Sequence, residues 1–151
     1  MYDSREDTTK HIARVDELIA GVQNVLTHRA IAHDTSKLRE PEKTIFDEVT
    51  PLLKQMTYGS DEYKESLAKM GPALDHHYAF NRHHPEHHEN GVCDMTLVDL
   101  IEMLADWKAA TERHADGNIL KSLEINEKRF EIPETLIRIL KNTVEQLGWD
   151  G

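Results

Sequence analysis

A short stretch of the sequence concentrates side chains that bind metal ions. Residues 75–91 read DHHYAFNRHHPEHHENG and contain six of the ten histidines in the chain. Imidazole nitrogens bind divalent transition metals, and histidine also transfers protons near neutral pH. The cluster is internal and interrupted by other residue types, which argues against a purification tag. A metal site and a polar loop are both open interpretations, and the choice between them depends on partners elsewhere in the chain.

Spacing divides these histidines into groups. His76 and His83 are seven residues apart, as are His77 and His84, so each pair would share one face if a helix continued to residue 84. This arrangement favours positions in a pocket for His77, His83 and His84, and it does not decide whether His76 lies in the pocket. A solvated loop is the better interpretation for the two histidines that follow the proline, His87 and His88.

Another histidine lies in the apolar face of a helical segment near the N-terminus. On a helical wheel, Val15, Leu18, Val22 and Val25 fall within about 40° of His11. A buried histidine needs partners for its ring nitrogens. A core histidine bonded to a backbone carbonyl and a metal ligand are both open interpretations of this position.

Two more groups of polar residues could complete a site. His33 and Asp34 form a His-Asp dipeptide, which is weak evidence when taken alone. Further along, Asp99, Glu102 and Asp106 form a narrow acidic stripe beside a broad apolar helix face. Carboxylates at this spacing repel one another if they are buried without a cation. A solvated acidic face is the alternative, although the flanking valine and alanines are unusual for one.

The segments that must position these residues have apolar residues at helical spacing. Prolines, glycines and capping residues set the boundaries, with Ser60 as a predicted cap and Thr96 with Asp99 as a predicted capping arrangement. The predicted helices cover residues 9–28, 30–38, 41–53, 60–70, 96–114, 119–129 and 133–147, and another begins at residue 72 and carries the first histidines of the stretch. No segment shows sustained period-two alternation. The sequence therefore predicts an all-α fold, a single domain of about six to seven helices over residues 1–151.

Composition narrows the classes of function. The chain has 151 residues, 38% of them hydrophobic, and a formal net charge of −10, which argues against non-specific binding to nucleic acid. No apolar run is long enough to span a membrane, and the charged N-terminus does not resemble a signal peptide. The single cysteine, Cys93, favours a reduced compartment, so we expect a cytoplasmic protein.

The order of the polar signals resembles the HD-domain superfamily of metal-dependent phosphohydrolases. A helical histidine, a His-Asp pair, further histidines and a late helical aspartate give the order H…HD…H…H…D. The stretches HDTSKLREPE, HHYAFNRHHPEHH and MTLVDLIEMLADWKAATERH are more similar to an uncharacterised branch of HD-like proteins from phage and bacterial genomes. That branch brings no established activity.

The resemblance implies an HD-like helical domain and a role for each candidate residue. The primary metal ligands would be His11, His33, Asp34 and Asp106. A second metal site, phosphate contacts or acid catalysis would come from His77, His83, His84 and Glu86. Contacts to the substrate would come from Lys37, Asn81 and Arg82.

The chemistry of these side chains is consistent with that family. Imidazole and carboxylate ligands suit Mn²⁺, Fe²⁺, Co²⁺, Ni²⁺ or Zn²⁺, with Mg²⁺ as an alternative. A bound ion would lower the pKa of a water molecule and neutralise charge on a phosphoryl group. The resemblance therefore predicts hydrolysis of a nucleotide or another small phosphomonoester. An HD-like di-iron oxygenase and a non-catalytic helical metal-binding module stay open as alternatives, as does a homo-oligomer.

Overall fold

Helices account for the regular structure of the chain in the computed structural model, which describes residues 2–53, 61–113 and 117–150. No strand occurs within these ranges, so the predicted all-α fold is confirmed. The α-helices of the described residues are α1 (Arg5–Ala32), α2 (Glu42–Leu53), α3 (Asp61–Lys69), α4 (Gly71–Phe80), α5 (Leu97–Thr111), α6 (Ile119–Arg129) and α7 (Glu134–Gln146). Three short 3-10 turns cover Thr35–Leu38, Pro85–His87 and Gly91–Asp94.

The chain divides into two compact units at the junction between His33 and Asp34. The first unit is built on the 28-residue helix α1, whose first turn carries Glu6 and Asp7. Acidic side chains there interact favourably with the helix dipole. The second unit contains α2 to α7 and the 3-10 turns. The assignment of residues 1–151 to a single domain stays a prediction. Among the described helices, none combines the length and apolar character needed to cross a membrane.

The junction between the units differs from the predicted one. The sequence predicts a helix over residues 9–28 and a second over 30–38, whereas α1 continues to Ala32 and only a 3-10 turn follows. The break begins at His33, whose ψ of 125° is not helical, and continues at Asp34, whose φ of 55° is left-handed. Aspartate tolerates this conformation better than most residues, and it cannot continue a right-handed helix. The chain therefore turns directly after α1, at the His-Asp dipeptide.

The main core of the second unit lies between α5, α6 and α7. Met103, Leu123 and Val144, one from each helix, are fully buried. Their spacing with neighbouring apolar residues follows the helical period, so each helix buries one stripe. The rings of Trp107 and Phe130 stack at the edge of this core with centroids 6.0 Å apart. These contacts fix one face of α5 and leave its acidic stripe for another surface.

The start of α5 matches its prediction closely. The Thr96 hydroxyl oxygen accepts a hydrogen bond from the Asp99 backbone N–H, and the Asp99 carboxylate accepts one from the Thr96 backbone N–H. This reciprocal capping box fixes the first turn of the helix. The helix ends at Thr111, while the predicted end at His114 lies outside the described residues. The predicted α3 cap, Ser60, also lies outside them.

Candidate metal centre

Four side chains of the second unit bring metal-ligating atoms together. Asp34, His77, His83 and His84 each offer one atom, and these atoms lie within 4.8 Å of one another. His77 Nε2 lies 3.2 Å from Asp34 Oδ1 and 2.9 Å from His84 Nε2. His83 Nε2 lies 3.5 Å from Asp34 Oδ1. This cluster of three imidazoles and one carboxylate could hold a metal ion.

A turn after α4 brings the three imidazoles to one place. His77 lies in the last turn of α4, and the helix ends at Phe80 instead of continuing to residue 84. Asn81 caps the end of the helix: its backbone N–H donates to the His77 carbonyl oxygen at 3.0 Å, and its side-chain Nδ2 donates to the same oxygen at 2.8 Å and to Ser36 Oγ at 2.8 Å. The predicted pairing of His77 with His84 is therefore present, but it is made by a turn and not by a shared helix face.

The cluster is largely shielded from water. His77 and His83 are each 1% exposed, whereas His84 and Asp34 are half-buried. Burial is the largest cause that lowers the pKa of His84 to about 3, and the neighbouring His83 and His77 lower it further. Negative charges nearby oppose this shift only in part. At neutral pH the His84 ring is therefore uncharged, which is the form of imidazole that binds a metal.

A buried carboxylate lies behind His77. Glu42, at the first position of α2, is 0% exposed, and its Oε2 lies 2.9 Å from His77 Nδ1. Its Oε1 lies 2.7 Å from His76 Nδ1, and the Ser36 hydroxyl donates to Oε2 at 3.0 Å. Burial alone would raise the pKa of Glu42, but the hydrogen bonds from His76, Ser36 and His77 hold the pKa below its ordinary value. The buried group is therefore an anion stabilised by several donors.

The acidic stripe of α5 faces inward in the structure. Asp99 is 0% exposed, the Glu102 side chain is 9% exposed and Asp106 is half-buried, so this stripe is not a solvated face. Glu102 Oε1 lies 3.1 Å from His83 Nδ1. A carboxylate oxygen of Asp106 lies within 4.8 Å of one of Asp34. Two members of the stripe thus border the histidine cluster, and the third has a different role.

That third member anchors the histidine turn. Arg82 Nη2 donates to Asp99 Oδ2 at 3.1 Å, which ties the turn after α4 to the start of α5. Burial would raise the pKa of Asp99, but hydrogen bonds from Thr96 and Arg82 lower it to about 2. Arg82 is thus held by a structural partner, and its predicted contact with the substrate stays a prediction.

A lysine lies at the edge of the cluster. Lys37 Nζ donates to Asp34 Oδ2 at 2.7 Å and lies 5.4 Å from the centre of the Phe46 ring. The Phe46 ring packs edge-on against His77 with centroids 6.3 Å apart. The lysine side chain is 35% exposed, so a ligand that approaches from solvent can reach its ammonium group.

The other predicted residues lie in different surroundings. Glu86 forms an ion pair with Arg129 at 2.9 Å, and its role in proton transfer stays a prediction. His11 lies on α1, where its side chain is exposed. His33 is the C-terminal cap residue of α1 and directly precedes Asp34 in the chain. Both histidines belong to the first unit, and their roles as metal ligands stay predictions.

The last two histidines of the stretch bind the backbone. His87 Nδ1 lies 2.8 Å from the Tyr78 carbonyl oxygen, and His88 Nε2 lies 2.9 Å from the Arg82 carbonyl oxygen. Because a carbonyl oxygen only accepts, each of these ring nitrogens carries the hydrogen. These two rings therefore stabilise the turn that carries the cluster.

Sequence reasoning did not identify Glu42 as part of the site. A glutamate directly after a proline at the start of a helix is common, because it interacts favourably with the helix dipole. Because the helix dipole already explains a glutamate at this position, the sequence offered no reason to expect that it also accepts hydrogen bonds from His76 and His77. The one available signal was its position in the stretch HDTSKLREPE, which carries the resemblance.

Comparisons with known proteins reveal the family of the chain but no activity. Searches of curated proteins and of solved structures each found no significant match. The model of a family of unknown function, DUF5662, matches residues 1–147 and so covers nearly the whole sequence. The chain therefore belongs to the DUF5662 family.

Proposed function

We propose that this protein is a metal-dependent phosphohydrolase that acts on a nucleotide or another small phosphomonoester. The observation that carries the proposal is the convergence of three imidazole Nε2 atoms and Asp34 Oδ1 in a largely buried cluster. The resemblance to HD-domain phosphohydrolases supports the reaction class, and the choice of a phosphorylated small molecule as substrate rests on that resemblance.

The spacing of the donor atoms fits an ion of ordinary size. Ligands bound at about 2.0–2.1 Å lie about 2.8–3.4 Å from their neighbours around a tetrahedral or octahedral ion. Two of the separations within the cluster, 2.9 and 3.2 Å, lie in this range, a third is 3.5 Å, and all the ligand atoms lie within 4.8 Å of one another. Nitrogen-rich sites favour Mn²⁺, Fe²⁺, Co²⁺, Ni²⁺ or Zn²⁺ over Mg²⁺, which prefers oxygen ligands and water. We therefore propose a transition metal.

The charge of the cluster also favours a cation. Neutral imidazoles contribute no charge, so Asp34 brings one negative charge to the ligand set, and Asp106 and the buried Glu102 add negative charge beside it. Grouped carboxylates in a low dielectric are stabilised by a divalent ion. When bound, such an ion supplies a water of lowered pKa and positive charge for phosphoryl oxygens.

The chain provides one well-placed group for the phosphate. Lys37 Nζ, held 2.7 Å from Asp34 Oδ2, adds a partly exposed cation at the edge of the cluster. A local cation is needed because the chain as a whole has a net charge of −10 and repels anions at a distance. We assign the first phosphate contact to Lys37 in preference to Arg82, because Lys37 pairs with Asp34 of the cluster, whereas Arg82 pairs with Asp99, which is not a member of it.

A metal-supplemented assay of phosphate release tests the proposal. Purified protein is incubated with nucleoside monophosphates, nucleoside triphosphates and a simple aryl phosphate in the presence of Mn²⁺, Co²⁺, Ni²⁺, Zn²⁺ or Mg²⁺. We expect phosphate release with at least one combination of metal and substrate. In His83→Ala we expect the rate of release to fall by more than the roughly 10–100-fold that the loss of an outer-shell partner costs, because His83 is a proposed ligand. The matched control is His88→Ala, because His88 binds a backbone carbonyl.

Two outcomes would contradict the proposal. If a stoichiometric metal is bound and no substrate releases phosphate, a non-catalytic metal-binding module becomes the better interpretation. If iron is retained with a charge-transfer band and the protein consumes O₂, the di-iron oxygenase replaces it.

A further inference from the structure

We propose that Glu42 and Glu102 are positioning residues, which hold His77 and His83 in the Nδ1–H tautomer and so direct both Nε2 lone pairs into the cluster. The distances are 2.9 Å from Glu42 Oε2 to His77 Nδ1 and 3.1 Å from Glu102 Oε1 to His83 Nδ1. This inference rests on the proposed metal site, but it does not depend on the phosphohydrolase reaction.

The hydrogen bonds around Glu42 determine where the His77 hydrogen lies. An ionised carboxylate only accepts, and a neutral imidazole has one ring hydrogen to donate. His77 has a carboxylate near each ring nitrogen, and we assign the hydrogen to Nδ1 because Glu42 Oε2, at 2.9 Å, is closer than Asp34 Oδ1, which lies 3.2 Å from Nε2. Two other groups near His77 Nδ1 could donate to that nitrogen instead, the Ser36 hydroxyl at 3.2 Å and the Asn81 amide at 3.0 Å.

Both competing donors are already used. The one hydroxyl hydrogen of Ser36 is directed to Glu42 Oε2 at 3.0 Å. The Asn81 amide has two hydrogens, and they are directed to the His77 carbonyl oxygen and to Ser36 Oγ, each at 2.8 Å. With these hydrogens assigned, His77 Nδ1 carries its own hydrogen and donates it to Glu42. Its Nε2 therefore presents a lone pair toward Asp34 and His84.

The same geometry recurs at His83 with a carboxylate from a different helix. The ring is 1% exposed, its Nδ1 faces Glu102 of α5, and its Nε2 lies 3.5 Å from Asp34 Oδ1. A donor hydrogen on Nδ1 again leaves a lone pair on Nε2. Lone pairs of His77 and His83 then face the same carboxylate oxygen, Asp34 Oδ1, which is an arrangement that a cation stabilises.

Replacing either carboxylate with glutamine tests its role. Glu42 accepts from His76, His77 and Ser36 with its two oxygens, so glutamine at position 42 must turn its NH₂ group toward at least one of these donors. Glutamine at position 102 replaces the carboxylate that faces His83 Nδ1. We therefore expect both Glu42→Gln and Glu102→Gln to weaken metal binding.

The tautomers can be measured directly in the metal-free wild type. Long-range ¹H–¹⁵N correlation spectra of selectively labelled histidine distinguish the two nitrogens of each ring. We expect Nδ1–H for both His77 and His83 at neutral pH. An Nε2–H tautomer for either ring overturns the inference, whatever the variants do.

Metal affinity provides the second measurement, with Zn²⁺ and Co²⁺ as probes in competition with a chelator. We expect Glu42→Gln to lower affinity about 10–100-fold, Glu102→Gln to lower it as well, and the exposed control Glu48→Gln to leave it unchanged. Wild-type affinity in Glu42→Gln overturns the inference. A wild type that binds no metal overturns the metal site and this inference together. Tight metal binding without phosphate release overturns only the proposed reaction.

Discussion

The histidine-rich stretch contains two regions of the same composition and different chemistry. In the first, the ring nitrogens of His77 and His83 meet carboxylates on one side and the cluster on the other. In the second, His87 and His88 each place a ring nitrogen against a backbone carbonyl of the same turn. The residue type is therefore uninformative alone, and the partner of each nitrogen determines what the side chain can do.

The two regions also differ in the range of their contacts. His77 reaches back to Glu42 and Asp34, and His83 reaches forward to Glu102 on α5. His87 reaches only to Tyr78, nine residues away. Long-range contacts bring together side chains from separate helices, which is how a ligand set is assembled, whereas local contacts stabilise the backbone that carries it.

The largest expected difference between the regions is in metal affinity. Replacing His77 with alanine removes a proposed metal ligand and leaves the buried Glu42 without one of its donors. We expect the affinity for Zn²⁺ or Co²⁺ to fall by more than about 100-fold, since outer-shell changes alone cost 10–100-fold. Calorimetric titration of the metal-free protein measures it.

The matched variant in the second region is His87→Ala. His87 lies ten residues after His77, and its imidazole binds the Tyr78 carbonyl oxygen. We expect the metal affinity of His87→Ala to stay within about twofold of that of the wild type. Because His77 is buried, circular dichroism must first show that both variants are folded. If His77→Ala and His87→Ala lose metal affinity equally, the two regions do not differ in metal binding and the comparison is wrong.

A smaller effect, on the stability of the fold, is expected where Arg82 of the histidine-rich stretch binds Asp99 at the start of α5. The pKa of Asp99 is about 2 against an ordinary 3.8. A depressed carboxyl pKa stabilises the folded state above the unfolded pKa, and this contribution is lost as pH falls from about 4 toward 2. A shift of this size corresponds to about 2 kcal/mol at neutral pH.

Urea unfolding of the wild type and Asp99→Asn between pH 2 and pH 6 measures this contribution. We expect the variant to be less stable by about 2 kcal/mol above pH 5, with the gap closing toward pH 2. The capping box of α5 contributes to the same loss, because Asp99 also accepts from the Thr96 backbone. A gap that does not change with pH would show that the charge of Asp99 is not its source.

Much of this architecture was readable from the sequence, and the reasons are local. The capping box at Thr96 and Asp99 and the apolar stripes of α5 to α7 depend on residues close together in the chain, so their patterns predicted the helices. The order of polar residues and the resemblance predicted that His77, His83 and His84 belong to the same pocket as Asp34. They assigned Asp34 to a primary ligand set and the histidines to a second one, whereas the structure brings all four side chains into one cluster.

The remaining features depend on contacts that spacing does not encode. The left-handed Asp34 separates α1 from the next turn, although the surrounding residues favour a helix. The return of the chain at Asn81 brings His84 to His77 without a helix, and it depends on a side-chain bond to Ser36, 45 residues earlier. Glu42 becomes an acceptor for two histidines only after α2 and α4 have packed.

The smallest expected effect belongs to the second region alone. His87→Ala removes the donor to the Tyr78 carbonyl oxygen, a bond of 2.8 Å in a half-buried turn. A hydrogen bond of this kind contributes about 0.5–1.5 kcal/mol to stability, so we expect a loss of about 1 kcal/mol in urea unfolding of the metal-free protein. His87→Gln can still donate from a side-chain amide and should recover part of it. We thus expect His87→Ala to lose stability and keep its metal affinity, whereas His77→Ala loses metal affinity. A His87→Ala protein that loses metal affinity but not stability would show that this ring belongs to the cluster instead.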